Sequence, residues 1–377
     1  MTAPHAERAT TDWLAIATLF AGGLVAAMHF SNVSPVMEPM VGDLGLGSVA
    51  AGIAVSILGL VGILFAIPAG TLAGALGLGR GLGLALLGGA VLAAAAAAAP
   101  DPGLFLLLRV FDGFSHLLLV VCAPPRRAAP ATPADRPIVL ALWGCFFGLG
   151  VAITSAVAPG IVALWGWRGL LFAHALALGA IGLATLAVLR RAGHRDTRAP
   201  WPNLVDIARA HPAVYRSGAP VRLALAFMAY ALQFLAVVTF LGPLLAERLG
   251  WSAGTVGAIV SAVSMGTLVF TLAAGGLVRA GLAFGRGASH AFGLVAVCGV
   301  VIFGWRPDAP LLLLAVAGMT VALGLLPGLV FATVPRVAPS AAVAALAFGA
   351  IAQFGNVGTF AGTPLFAFAH GIAGWGG

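Results

Sequence analysis

The chain has 377 residues, of which 61% are hydrophobic and only 8% are charged, and its mean hydropathy is +1.08. Soluble domains carry about 25% charged residues, so this composition excludes a water-soluble protein and predicts an all-α protein that crosses a membrane many times. The net charge of +8 does not indicate nucleic-acid binding, because the arginines recur in alternate loops and form no single patch.

Eleven apolar runs are long enough to cross a bilayer, which takes about 20 helical residues. They lie at 13–31, 48–69, 82–99, 103–123, 138–160, 169–189, 219–241, 253–278, 288–305, 310–332 and 342–366. The first run is too long for the apolar region of a signal peptide, so we expect it to remain as a span.

The basic residues predict how the chain is oriented. All 19 are arginines, which excludes the P-loop lysine of ATP-driven pumps. With the N-terminus inside, fifteen arginines fall on the inner side and three on the outer side, and Arg109 lies within a span. This bias follows the positive-inside pattern and predicts a bacterial inner-membrane protein with a cytoplasmic N-terminus.

One sequence pattern occurs twice. The first copy contains Gly45, Gly52, Ser56, Gly70, Leu72 and the stretch 79–81, and the second contains Gly250, Gly257, Ser261, Gly275, Leu277 and the stretch 285–287. Such a duplication indicates two halves of similar topology, as in many secondary transporters. We predict an N-terminal bundle over 1–189 and a C-terminal bundle over 219–377. Between them, 190–218 forms a cytoplasmic linker whose arginines are expected to bind lipid headgroups, and it includes an amphipathic stretch at 203–210.

These features resemble the major facilitator superfamily over nearly the whole chain. The stretch 70–73 resembles the signature of the family's loop 2–3, although glycine and alanine at 74–75 replace its Asp-Arg pair. Arg-x-x-x-Gly at 109–113 resembles the pattern of the fourth span, and 167–168 is similar to the family's Gly-Trp-Arg. The resemblance implies two pseudo-symmetric six-helix bundles with a substrate site between them and alternating access.

The resemblance has limits of its own. The fifth span lacks the Gly-Pro of drug/proton antiporters, and the stretch 113–124 is similar to cyanate- and nitroimidazole-type permeases. The family usually has twelve spans, so the twelfth is expected to be truncated or naturally missing. For the loops after the second and eighth spans, the resemblance implies gating residues. These are Gly70, Leu72, Arg80, Gly275, Leu277 and Arg286.

The fourth span carries the most informative polar group. Arg109, Asp112 and His116 are spaced by three and four residues and therefore share one helix face. Asp112 lies about 13 Å into a core of about 30 Å, where an ionisable group costs several kcal/mol unless it is paired or hydrated. Either Asp112 and His116 relay protons while Arg109 binds an anionic substrate or pairs with Asp112, or an Arg–Asp pair locks the span to a neighbour.

Other polar groups also lie at depth in apolar spans. They are His29, Tyr230, Gln233, Gln353 and Asn356. His29 either lines the outer part of a cavity or lies near the headgroups, and the other four either bind substrate or join helices by hydrogen bonds. His174 falls in a span that is peripheral in the family, so we expect a structural role for it.

Together these patterns predict a secondary active transporter of a small solute. Arg109 favours an anionic solute, and the titratable Asp112 and His116 favour proton coupling. Two alternatives stay open: proton-driven efflux of an amphipathic drug or metabolite, and a membrane sensor or enzyme that transports nothing. We expect no enzyme activity, no cofactor, no metal and a monomer whose partners are a small solute, protons and membrane lipids.

Overall fold

The computed structural model describes residues 10–46, 48–191, 198–216, 218–305, 307–338 and 340–374. The helices are α1 (Trp13–Ser31), α2 (Met37–Leu44), α3 (Ser48–Leu76), α4 (Leu78–Ala97), α5 (Pro102–Ala128), α6 (Arg136–Trp143), α7 (Phe146–Arg191), α8 (Leu204–Arg216), α9 (Gly218–Leu249), α10 (Ala253–Arg279), α11 (Phe284–Gly299), α12 (Ala309–Val337) and α13 (Ala341–Ala373). A 3-10 turn (Ser34–Val36) precedes α2, and a π-helical turn (Val300–Gly304) extends α11. The described residues include no strand, which confirms the predicted all-α class.

Ten of the described helices are long and apolar enough to span a membrane. One of them, α7, is bent into two segments at Gly166, where φ is 67° and ψ is −173°. That conformation is open chiefly to glycine, which has no Cβ. The segments on either side of Gly166 correspond to the predicted fifth and sixth spans, and short α6 leads into the first. The ten helices therefore give about eleven crossing segments.

Side-chain caps begin several of these helices. The capping residues are Asp12, Asp101, Ser252 and Ser340, each of which accepts a hydrogen bond from a backbone N–H three residues later. Such a cap satisfies one of the four N–H groups that a helix leaves unpaired at its start. The sequence repeat is also visible in the backbone, because Gly45 and Gly250 precede α3 and α10 with φ values of 63° and 65°.

The helices pack as a first set, α1–α7, and a second set, α9–α13. In the first set, α1 packs on α7, α4 on α5 and α7, and α3 on α5. In the second set, α9 packs on α13, and α10 and α11 pack on α12. The two sets meet where α3 packs on α13 and where α6 packs on α10 and α12.

Close contacts between the sets extend to one end of the molecule. This is the end where α3, α5, α10 and α12 finish, and we call it the inner end because the arginine pattern predicts that it is cytoplasmic. A Cβ at Gly70 would lie 2.9 Å from Ala345 O, and a Cβ at Gly275 would lie 2.5 Å from Ala141 Cβ. Gly70 and Gly275 are equivalent in the repeat, so both copies use glycine to bring helices of opposite sets together.

The two repeated loops are shorter than the sequence predicted. All six residues assigned to gating loops lie in helices: Gly70 and Leu72 in α3, Arg80 in α4, Gly275 and Leu277 in α10, and Arg286 in α11. Leucine and alanine are good helix formers, so α3 continues beyond the apolar core as far as Leu76 and ends before Gly77, where φ is 84°. The second connection covers only residues 280–283.

The linker contains α8, whose first turns coincide with the predicted amphipathic stretch. Ahead of it, Ala199 N donates to Gly74 O at 2.9 Å. Within it, Tyr215 Oη donates to Gln353 Oε1 on α13 at 2.8 Å. These two bonds hold the described part of the linker against helices of both sets.

Candidate functional site

The charged residues of α5 form the centre of a buried polar cluster. Arg109 is 1% exposed and Asp112 is 4% exposed. Arg109 Nη1 donates to Asp112 Oδ2, Nη2 donates to His29 O at 2.8 Å, and Nε donates to Ala54 O at 3.3 Å. Arg109 therefore connects α5 to α1 and α3, and its donors point toward protein atoms.

The sequence explains why Arg109 is held in this way. His29 is one of the last four residues of α1, whose carbonyl oxygens have no N–H donor within the helix. The Nη2 group of Arg109 supplies a donor for the His29 carbonyl. Asp112 supplies the counter-charge that a buried guanidinium requires. This geometry matches the alternative in which Arg109 pairs with Asp112.

His29 supplies the second contact of Asp112. Its side chain is fully buried, and Nδ1 lies 2.6 Å from Asp112 Oδ1. This is an ion-pair distance, but the ring orientation does not make it a hydrogen bond, and Nδ1 and Oδ1 are both without a hydrogen-bond partner among the described residues. Nε2, the other ring nitrogen, is buried without a hydrogen-bond partner among the described residues. His29 can therefore accept a proton at Nε2 and become an imidazolium paired with Asp112.

His174 and Asn32 close the cluster on the side of α7. His174 Nε2 donates to Val25 O at 2.9 Å, and Asn32 Nδ2 donates to His174 Nδ1 at 3.0 Å. With both nitrogens engaged, His174 is held neutral, 4.7 Å from the His29 ring between centroids. Among the described residues, no three side chains of the His, Cys, Asp and Glu types are placed to hold a metal ion.

His116 connects this cluster to a central cavity. Its Nδ1 lies 2.7 Å from Ala26 O, and because a carbonyl oxygen only accepts, Nδ1 carries the hydrogen. Nε2 of the neutral ring is therefore free to accept a proton. The His116 ring lies 6.1 Å from the His29 ring between centroids and forms part of the cavity wall.

The cavity lies between the two helix sets and has a volume of about 120 Å³. Its aromatic lining residues are Phe30, Trp143, Phe146, Phe147, Phe227, Tyr230, Phe234, Phe331 and Phe348. Its polar side chains, besides Tyr230, are His116, Thr267, Thr271, Asn356 and Thr359. No arginine, aspartate or glutamate belongs to the lining in the part of the chain that the structure describes. The walls are thus mainly aromatic, and His116 is the side chain among them that can become a cation.

The four neutral polar residues predicted from the sequence separate into two groups. Tyr230 and Asn356 line the cavity, whereas Gln233 and Gln353 do not. Gln353 Nε2 donates to Ile63 O at 2.5 Å, so with its bond to the linker it joins three helices. Gln233 Oε1 is buried without a hydrogen-bond partner among the described residues.

An ion pair joins the two sets at the inner end. Arg279 Nη1, at the end of α10, donates to Asp135 Oδ1 at 3.1 Å. Asp135 also accepts from Thr11 Oγ1 at 2.6 Å and from Thr132 Oγ1 at 3.0 Å. The hydrogen bonds from Thr11 and Thr132, followed by the charge of Arg279, hold the pKa of Asp135 below its usual value. This contact was not predicted from the sequence, because Asp135 and Arg279 are 144 residues apart along the chain.

Comparison with known proteins agrees with this architecture. The chain has a TM-score of 0.74 and 18% identity to the human organic anion transporter MFSD10, covering 96% of this chain and 94% of that one. For the proton:xylose symporter XylE the TM-score is 0.69 and the identity 14%, with coverages of 96% and 89%. For FucP the TM-score is 0.67 and the identity 18%, with coverages of 95% of this chain and 92% of that one. At these identities the likeness shows the fold alone.

The sequence comparison establishes the family. No curated protein sequence matches the chain significantly. The profile described as the Major Facilitator Superfamily matches residues 19–363, which is most of the chain and confirms the resemblance seen in the motifs. The prediction that the chain is not an enzyme is confirmed by the same match. The chain belongs to the Major Facilitator Superfamily and is a multi-pass membrane transporter.

Proposed function

We propose that the chain is a proton-coupled secondary transporter of a small amphipathic solute that has an aromatic or apolar body and an anionic group. The observation that carries this proposal is the position of His116. Its ring lies in the wall of an aromatic cavity with Nε2 available for a proton, and a buried Asp112–His29 pair lies behind it.

Alternating access would follow from movement between two bundles, 1–189 and 219–377, with 190–218 as the linker. Close contacts between them extend to the inner end, around Gly70 and Gly275. In a bacterial inner membrane with a cytoplasmic N-terminus, this arrangement is closed toward the cytoplasm. The bundles would separate there and close on the opposite side to release the solute.

The solute class follows from the cavity. A protein cavity of about 150 Å³ can hold a benzene molecule, so about 120 Å³ suits a solute of roughly one ring. Aromatic walls favour an apolar or aromatic body. The anionic preference rests on His116 in its protonated form, because Arg109 is turned toward Asp112 and two backbone carbonyls.

The proton would enter at His116 Nε2 and would be held there by the charge of the bound anion. His29 offers a second acceptor at Nε2, and Asp112 would stabilise its imidazolium form. Arg109 would keep Asp112 ionised and oriented. Solute and proton would thus bind together, because each compensates the charge of the other in an apolar site.

Efflux of a neutral amphipathic drug or metabolite is the second candidate. It is favoured by the aromatic lining and by the lack of an arginine among the described lining residues. The two candidates differ in one property: only the first requires a charge on the solute.

Benzenesulfonate and benzenesulfonamide test this difference, because they are similar in shape but only the sulfonate is always an anion. We expect the purified protein to bind benzenesulfonate more tightly, and increasingly so as the pH falls, because only the protonated His116 ring supplies the compensating positive charge. In proteoliposomes, an imposed pH gradient should drive accumulation of the sulfonate.

The matched variants are His116→Asn and His290→Asn. The asparagine amide can keep the bond to Ala26 O while removing the proton acceptor, and His290 is an exposed histidine whose Nδ1 also bonds a carbonyl, that of Arg286 at 2.7 Å. Only His116→Asn should abolish accumulation driven by the pH gradient. Equal accumulation in both variants would refute the assignment of His116, and equal binding of sulfonamide and sulfonate would favour the second candidate.

A further inference from the structure

A second cavity, of about 270 Å³, lies at the inner end of the molecule. Three arginines belong to its lining, Arg136, Arg279 and Arg336, together with three prolines and two alanines. The cavity is separate from the central one and shares no lining residue with it. Neither the motifs nor the proposed transport reaction accounts for three guanidinium groups around one opening.

The arginines are partly held in place by the protein. Arg336 Nη2 donates to Val278 O at 2.7 Å, so this guanidinium caps the last turn of α10. Arg279 Nη1 donates to Asp135. Each guanidinium has five N–H donors, so these bonds leave further donors on both residues.

The charges do not cancel. Asp135 is the acidic group paired with these arginines, and its hydrogen bonds from Thr11 and Thr132 are donated to the ionised form. Among the described residues that line or contact this cavity, three positive charges therefore face one negative charge. Arg136 is exposed at the start of α6. Its backbone N–H donates to Thr132 O at 3.1 Å, but its guanidinium makes no hydrogen bond to another described residue.

We propose that this cavity binds an anion that carries a phosphate group, held by Arg136, Arg279 and Arg336. Guanidinium groups match phosphate oxygens through two parallel N–H donors, and they do so better than lysine. The small apolar lining residues leave room for a phosphate and a short substituent.

Binding would also affect the arrangement of the two helix sets. Arg136 belongs to the first set, whereas Arg279 and Arg336 belong to the second. An anion in contact with all three arginines binds more tightly to this arrangement than to an arrangement in which the sets are apart at the inner end. It therefore shifts the population toward the arrangement closed at that end.

Two sources could supply the phosphate: free inorganic phosphate in the cytoplasm, or the headgroup of an anionic phospholipid of the inner leaflet. The first arm of the test measures thermal unfolding of the full chain in a neutral detergent as inorganic phosphate is added at constant ionic strength. The second arm compares the full chain in nanodiscs of phosphatidylcholine with and without phosphatidylglycerol. A ligand that binds the folded state raises the unfolding temperature by mass action.

The matched variants are Arg136→Gln and Arg191→Gln, which each remove one exposed arginine at the inner end. Loss of one charge-assisted hydrogen bond of about 1.4 kcal/mol corresponds to about tenfold weaker binding. We expect that loss for Arg136→Gln in at least one arm, and wild-type binding for Arg191→Gln. Arg279→Gln serves as a second variant from the other helix set and should weaken binding in the same arm.

The arms identify the source. A saturable effect of inorganic phosphate that depends on Arg136 supports a free anion, and an effect confined to nanodiscs with phosphatidylglycerol supports a lipid headgroup. If neither arm depends on Arg136, or if Arg136→Gln and Arg191→Gln weaken binding equally, the site does not exist as proposed. Because both arms measure binding and not transport, failure of the proposed transport function would leave their outcome unaffected.

Discussion

Replacing Asp112 by asparagine should destabilise the protein more than replacing its partner Arg109 by glutamine. Asp112→Asn removes the carboxylate that faces Arg109 and His29. The guanidinium is 1% exposed and would remain charged, because arginine does not deprotonate in proteins. Breaking a buried ion pair in this way costs about 3–5 kcal/mol.

Arg109→Gln has a smaller expected cost because His29 can compensate. With the guanidinium absent, His29 can take up a proton and pair with Asp112, from which its Nδ1 is 2.6 Å away. The main loss is then the hydrogen bonds to His29 O and Ala54 O. At about 1 kcal/mol each, this gives roughly 2–3 kcal/mol once imperfect packing of the glutamine is included.

The double variant Arg109→Gln/Asp112→Asn distinguishes charge compensation from packing. It leaves no unpaired buried ion, so its cost should be about 3 kcal/mol less than the sum of the two single variants. The assay is reversible unfolding in mixed detergent and dodecyl sulfate micelles, followed by tryptophan fluorescence. Additive costs within about 0.5 kcal/mol, or a larger cost for Arg109→Gln than for Asp112→Asn, would refute the reasoning.

Two further predictions concern the inner end. Gly275→Val should abolish solute counterflow in proteoliposomes, because a Cβ there would lie 2.5 Å from an atom of α6. The control Gly276→Val should retain counterflow, because a Cβ there would have no neighbour within 4 Å. Equal counterflow rates in the two variants would contradict the close contact. Thr11→Val removes the 2.6 Å hydrogen bond to Asp135 and should raise the pKa of that carboxyl toward its usual value. A depressed pKa stabilises the fold above the carboxyl's ordinary range, and this stabilisation is lost as the pH falls through the depressed value. Because Thr11→Val has less of this stabilisation to lose, its unfolding temperature should fall less in acid than that of the parent, and identical acid limbs would count against the hydrogen bond.

The helical architecture could be predicted from the sequence because lipid offers no hydrogen-bond partners to the backbone. A backbone crossing the bilayer must satisfy its own hydrogen bonds, so each long apolar run predicts a helix, and the runs did become helices. Their ends were harder to predict. Hydropathy marks where the apolar core ends and not where the helix ends, which is why α3 continues through Gly70 and Leu72 to Leu76.

The polar site was predictable along one helix but not between helices. Spacing alone placed Arg109, Asp112 and His116 on one face of α5. That His29 is the residue in contact with Asp112 depends on how α1 packs against α5, which no local pattern contains.

The cavity wall was the least predictable feature, because phenylalanine has the same apolar character in two environments. Phe30 lines the cavity, whereas Phe368 is 69% exposed on the outer surface of the helices, where a lipid chain would solvate it. In a soluble protein, positions exposed to water carry mostly polar residues and can be distinguished from buried positions by composition. In a membrane protein this distinction is lost, because lipid is as apolar as the side chain itself. The binding surface of a transporter of this kind therefore becomes visible only when the helices are assembled, and His116 is the exception because a titratable group at that depth requires a polar partner or a cavity.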